Sequence, residues 1–145
     1  MKWIDIPPVW LLVFALIAFA SRGLLVWPQP ALAAFGTALV ALGLLVMLWA
    51  VLTMLRARTT PVPHMSPSAL VTTGPFAFSR NPIYLGDALV LAGLSLRWGA
   101  PLGLLLVPLF CALIARRFIA AEESRLAAGF GPAWADWSAR VRRWI

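Results

Sequence analysis

The residues best able to do chemistry fall in two clusters, at positions 70–86 and 122–134. The first reads Leu70-Val71-Thr72-Thr73-Gly74-Pro75-Phe76, then Arg80-Asn81-Pro82-Ile83-Tyr84-Leu85-Gly86. The second reads Glu122-Glu123-Ser124-Arg125-Leu126, then Phe130-Gly131-Pro132-Ala133-Trp134. Gly74-Pro75 makes a turn, and Asn81-Pro82 starts a helix with proline in its first turn. Tyr84 then projects one turn into that helix. A helix start exposes unpaired N–H groups that favour an anionic group, and Arg80 can add a charge-assisted bond to a carboxylate. Glu122 and Glu123 supply negative charge for a cationic group. A pocket with a cation, an acid pair and aromatic walls suits a zwitterionic ligand.

Taken singly, each element has a plainer reading. Arg80 reads as a membrane-edge anchor, Tyr84 as an interfacial aromatic, and Glu122-Glu123 as a solvated helix face. Asp87 is different, because an acid one turn inside an apolar helix is costly and functional by default. It also lies close enough to the interface to be hydrated. His64 sits in a proline-rich loop without a visible partner. Cys111, the single cysteine, lies in an apolar run, which excludes a disulfide framework and a cysteine metal site. No metal site is expected.

The elements that must carry these residues follow from composition. The chain of 145 residues is 62% hydrophobic and 12% charged, with a mean hydropathy of +0.89. Soluble domains run at roughly 45–50% apolar and about 25% charged, so lipid is the better solvent for this chain. The expected fold is all-α: a polytopic membrane helix bundle of about four transmembrane helices with a C-terminal interfacial helix. Spans of roughly 20 residues fit at about 8–27, 31–55, 83–96 and 101–118. A polar loop covers 56–82 and a tail covers 119–145, and the whole of 1–145 forms one domain. The fourth helix has no breaker until near Gly129. Trp27-Pro28-Gln29-Pro30 breaks the first span from the second, and prolines 61, 63, 67 and 75 keep the loop irregular. Lys2 before an apolar stretch raises a signal peptide, but 9–26 is too long for a typical signal core. The tail carries Trp134, Trp137 and Trp144 among arginines, which suits a helix on the membrane surface.

The net charge of +7 would fit nucleic acid, yet the cations flank apolar segments rather than forming one basic face, so no nucleic-acid partner is expected. Positive-inside counting places both termini in the cytoplasm. Ten of the 12 Lys and Arg residues then lie inside, with Arg22 and Arg97 outside. A bacterial inner membrane is the expected location.

Together the clusters resemble a family of integral-membrane methyltransferases that includes isoprenylcysteine carboxyl methyltransferases and phospholipid N-methyltransferases. Its signature is similar to Leu-Val-x-x-Gly-Pro-Tyr, then Arg-(His or Asn)-Pro-x-Tyr-x-Gly, then Glu-Glu-x-x-Leu, Phe-Gly-x-x-Tyr and a basic Val-x-Arg. The matching stretches here are 70–86, 122–126, 130–134 and Val141-Arg142-Arg143. The resemblance implies S-adenosylmethionine as methyl donor and a lipophilic small-molecule acceptor, either the carboxylate of a prenylcysteine-like molecule or a lipid amine. Carried over by position, donor contacts are implied at Ser68, Ala69, Leu70, Val71, Phe76, Asn81, Pro82, Ile83, Tyr84 and Glu122. Arg80 and Glu123 are implied in catalysis. An amine acceptor would need a proton acceptor, for which Glu123 and Asp87 are candidates. Phe76 and Trp134 stand where tyrosines are usual, Asn81 where histidine is common, and Phe118 where a substrate-binding arginine lies four residues before the acid pair.

Two other readings compete. A related membrane reductase with a nicotinamide cofactor would need more arginines around 56–80 to hold nucleotide phosphate. A non-catalytic scaffold or small transporter would need polar residues through the full depth of the bundle, whereas here they gather at one end.

Overall fold

The computed structural model describes residues 5–25, 30–60 and 68–145. It is built from six α-helices: α1 (Pro7–Ala20), α2 (Pro30–Arg56), α3 (Pro82–Arg97), α4 (Pro101–Ile114), α5 (Ala120–Phe130) and α6 (Pro132–Arg140). No strand occurs among the described residues. Prolines open α1, α3, α4 and α6, where a missing N–H costs nothing. The expected break at Trp27-Pro28-Gln29, Lys2, His64 and prolines 61, 63 and 67 lie outside the described residues.

One boundary differs from the sequence reading. The first span was expected to run to residue 27, but α1 stops at Ala20 and a 3-10 turn carries it only to Gly23. Ser21 bonds its hydroxyl back to the Ala18 carbonyl at 2.7 Å, which competes with the helical pattern. The fourth helix was expected to continue beyond its span at 101–118 without a breaker until near Gly129, and it forms one continuous rod from Pro101 to Phe130. That rod loosens into a π turn at Ala115–Ile119, then ends where Gly131 adopts φ +48°, a left-handed value that suits glycine.

Burial is inverted relative to a soluble protein. α2 buries Gly36, Gly43 and Ala50 and turns Leu42, Leu44, Leu45, Leu48 and Leu52 outward. In α1, Leu12 and Leu16 are each 58% exposed while Ala15 and Ala18 are buried. Water would penalise that surface, whereas in lipid small residues belong inside because they allow close backbone approach. α2, at 27 residues, and the Pro101–Phe130 rod, at 30, are long and apolar enough to cross a bilayer. The protein is a membrane protein.

The helices alternate in direction. Gly36 near the start of α2 abuts Gly93 and Arg97 at the end of α3, and Gly43 abuts Gly86 and Val90. Gly103 at the start of α4 meets Ser95 and Ala18, and Phe19 stacks edge-on to Trp98 at 5.1 Å. At the opposite end Arg117 donates to Asp5 at 2.7 Å. Arg22 and Arg97 therefore share one end of the bundle, while Arg80, Glu122, Glu123 and Arg143 share the other. One core cluster joins α1, α3 and α4 around Tyr84, Leu91, Phe110, Ile114 and Phe118. A second joins Ala50, Val71, Phe76, Trp134 and Trp137 at the polar end.

Candidate functional site

Both motif clusters converge at that end, through one hydrogen bond above all. Tyr84 donates its hydroxyl to Glu122 Oε1 at 2.6 Å, across 38 residues of sequence. Tyr84 sits one turn into α3 and is buried. Glu122 stands in the first turn of α5. The Arg-Asn-Pro-x-Tyr turn and the acid pair thus form one wall.

Glu123 belongs to a different arrangement. It accepts from Arg143 Nε at 3.2 Å and Nη2 at 2.5 Å, a forked geometry that arginine favours. Arg80 Nη2 lies 3.4 Å from the same carboxylate. The Glu123 hydrogen bond holds the Arg143 guanidinium above its ordinary value. Arg80 was expected to meet an external carboxylate; one of its nitrogens is already engaged by this internal one. Its guanidinium also lies 5.8 Å from the Trp134 ring. Arg80 Nε is fully buried and has no hydrogen-bond partner among the described residues.

The Asn81-Pro82 helix start is present, with Pro82 opening α3. Its side chain, however, does not cap the helix. Asn81 Nδ2 donates to the Arg143 carbonyl at 3.0 Å, the Arg80 N–H donates to the Arg142 carbonyl at 2.9 Å, and the Ser79 hydroxyl donates to Arg143 O at 3.4 Å. The chain after α6 is therefore a strap laced across the Arg80-Asn81 turn. Trp137 adds a bond from Nε1 to the Phe76 carbonyl at 3.2 Å, and its ring packs against Trp134 at 5.3 Å.

The remaining expected positions divide. Val71 and Phe76 are buried in the second core cluster, with Leu70 and Ile83 packed against it. Pro82 is buried at the start of α3. Ser68 and Ala69 lie at the edge of the loop, where Ser68 is tied to the chain just after α2: its N–H donates to Thr59 Oγ1 at 3.1 Å and its hydroxyl to the Arg58 carbonyl at 2.8 Å. Arg143, Ser79, Thr59 and Trp137 were not assigned site roles from sequence. Only the basic Val-x-Arg ending hinted at Arg143, because Ser79 and Trp137 donate to backbone carbonyls more than 60 residues away and Thr59 accepts from the Ser68 N–H, and backbone partners carry no side-chain signature. Phe118 is 2% exposed in the first core cluster, so the position of the substrate-binding arginine is here an apolar packing site. Asp87 lies one turn deeper than Tyr84 on α3 and is 2% exposed.

Against known proteins, a family model described as phospholipid methyltransferase matches residues 31–133. No individually curated protein matches the chain. The matched segment holds α2 from its second residue, α3 to α5, and both motif clusters except Trp134, which favours methyl transfer over the nicotinamide reductase and the scaffold.

Proposed function

We propose, because this chain belongs to the phospholipid methyltransferase family, that it uses S-adenosylmethionine to methylate a lipophilic acceptor at the cytoplasmic membrane face. The observation that carries the reading is the 2.6 Å bond from Tyr84 to Glu122, which unites the two motif clusters in one polar wall. The residues present suit the donor's groups. The unpartnered Nε of Arg80 fits a carboxylate, Glu122 fits an ammonium, and the aromatic faces of Phe76 and Trp134 fit a sulfonium by cation–π attraction. The loop at 68–71 and the turn at Asn81, Pro82 and Ile83 complete the holding set.

When bound, this donor supplies an electrophilic methyl group whose sulfonium charge disappears on transfer. The chain's own work is alignment and exclusion of water, effects worth up to roughly 7–11 kcal/mol. Arg80 and Glu122 orient the donor, Tyr84 fixes the Glu122 carboxylate, and Glu123 holds Arg80 and the strap in place. The acceptor enters laterally between helices, and its reacting group is either a prenylcysteine-like carboxylate or a lipid amine.

We further read the bundle as one domain of four spans with α1, α2, α3 and the Pro101–Phe130 rod crossing the membrane, α6 lying at the surface and both termini cytoplasmic, in a bacterial inner membrane. The alternation of helix direction and the separation of Arg22 and Arg97 from the other arginines support this arrangement. Calorimetry of the purified full chain in detergent tests the donor site: S-adenosylmethionine should bind, and Glu122→Ala should weaken it. Absence of binding by the wild type would end the reading. Mass spectrometry of lipid extracts incubated with methyl-labelled donor then identifies the acceptor.

A further inference from the structure

Of the acids near the site, Glu122 and Glu123 are occupied by protein partners. Glu122 accepts from Tyr84, and Glu123 is held by Arg80 and Arg143. Asp87 differs from both. It is 98% buried, being 2% exposed, and no hydrogen bond or ion pair joins it to another described residue. It shares a face of α3 with Tyr84, three residues earlier, and Leu91, four later, the face that packs toward α1 and α4. An acid on so buried a residue, with neither a hydrogen-bond nor an ion-pair partner, is expensive in an apolar helix, and a cationic ligand group would offset that cost.

We infer that Asp87 is the acceptor-side catalytic group: it receives the cationic head of an alkyl ammonium acceptor and takes the proton that must leave before nitrogen can attack. One N–H bond breaks and one O–H bond forms on the Asp87 carboxylate. The nitrogen keeps the electron pair, and the ammonium–carboxylate pair becomes a neutral amine and a neutral acid. That lone pair is the nucleophile methyl transfer requires. A carboxylate acceptor would instead bring like charge against Asp87. Glu123, paired to two guanidiniums, is the poorer proton acceptor of the two candidates.

This inference rests on the methyl-transfer reading but is tested apart from it. The full chain in phosphatidylcholine nanodiscs is titrated with dodecylamine and, as uncharged control, dodecanol, following tryptophan fluorescence against empty discs. The wild type should bind the amine about tenfold more tightly than the alcohol, as one bond to a charged group implies. Asp87→Asn should lose that preference with alcohol binding unchanged, and Asp87→Glu should retain it. Donor affinity by calorimetry should be the same in Asp87→Asn as in the wild type. Equal binding of the two probes by the wild type, or a preference surviving in Asp87→Asn, would overturn the role of Asp87. Neither result depends on whether the donor binds.

Discussion

Along the middle of the bundle α2 and α3 meet backbone to backbone, at Gly36 against Gly93 and Gly43 against Gly86. At the motif-bearing end the chain is joined by side chains reaching 61 to 64 residues away, from Trp137 to Phe76, Asn81 to Arg143 and Ser79 to Arg143. The first region works by leaving side chains out. The second works by placing a few polar ones against specific carbonyls and carboxylates. In lipid the first suffices for association, since close approach maximises dispersion and needs no water to be released. A binding site needs the second, because only directed polar groups can select a charged ligand.

The largest effect should come from the glycine contact. A Cβ at Gly36 would lie 2.5 Å from the Gly93 carbonyl oxygen and 2.7 Å from the Arg97 nitrogen. Both neighbours are backbone and cannot rotate away. Gly36→Leu should therefore cost about 3 kcal/mol, the upper part of the overpacking range, seen as a lowered thermal midpoint in detergent. An unchanged midpoint would mean that α2 and α3 are not held by close approach.

At the polar end the effects should appear in binding before stability. Removing the carboxylate in Glu122→Ala should raise the dissociation constant for S-adenosylmethionine about 10–100-fold, the equivalent of one charged hydrogen bond. Its thermal midpoint should stay close to that of the wild type, because Glu122 lies outside both core clusters. A large loss of stability with little loss of binding would reverse the contrast between the two regions. Tyr84→Phe keeps the ring in the core and removes only the hydroxyl, so a smaller loss of about 5–10-fold in donor affinity is expected by calorimetry.

The smallest effect concerns the strap. The Arg143 guanidinium is 40% exposed, so its pair with Glu123 should contribute less than about 1 kcal/mol. Glu123 raises the folded-state value for Arg143 above the ordinary one, so the stabilisation is fully present below the unfolded value and is lost only as pH rises through the higher folded one. The difference in thermal midpoint between wild type and Glu123→Gln should therefore stay constant from pH 7 to 10. A difference that shrinks within that window would show that another group controls the strap.

Much of the helical plan was legible because lipid imposes a coarse rule. Uncharged runs must be helices, and prolines and glycines mark their ends. The same rule misplaced the end of α1, where Ser21 bonds back to Ala18, since a short polar side chain carries little weight in a hydropathy pattern. The two motif clusters were visible as spacing, and positive-inside counting predicts that both lie on one side of the membrane, where they can meet. What escaped was the internal use of the polar groups. Asn81 has the side chain of a helix cap but bonds to Arg143 O, and Glu123 looks equivalent to Glu122 but faces two arginines.

By itself the sequence determined that this chain is an apolar helical membrane protein with a methyltransferase-like motif set, because composition and short-range spacing are local properties. Tertiary structure alone decided which acids are occupied and which is not. Glu122 and Glu123 are adjacent in sequence, yet successive helical positions point about 100° apart, so one meets Tyr84 and the other the strap. Asp87 is left without a protein partner by the way α3 packs toward α1 and α4, and no spacing along the chain carries that information.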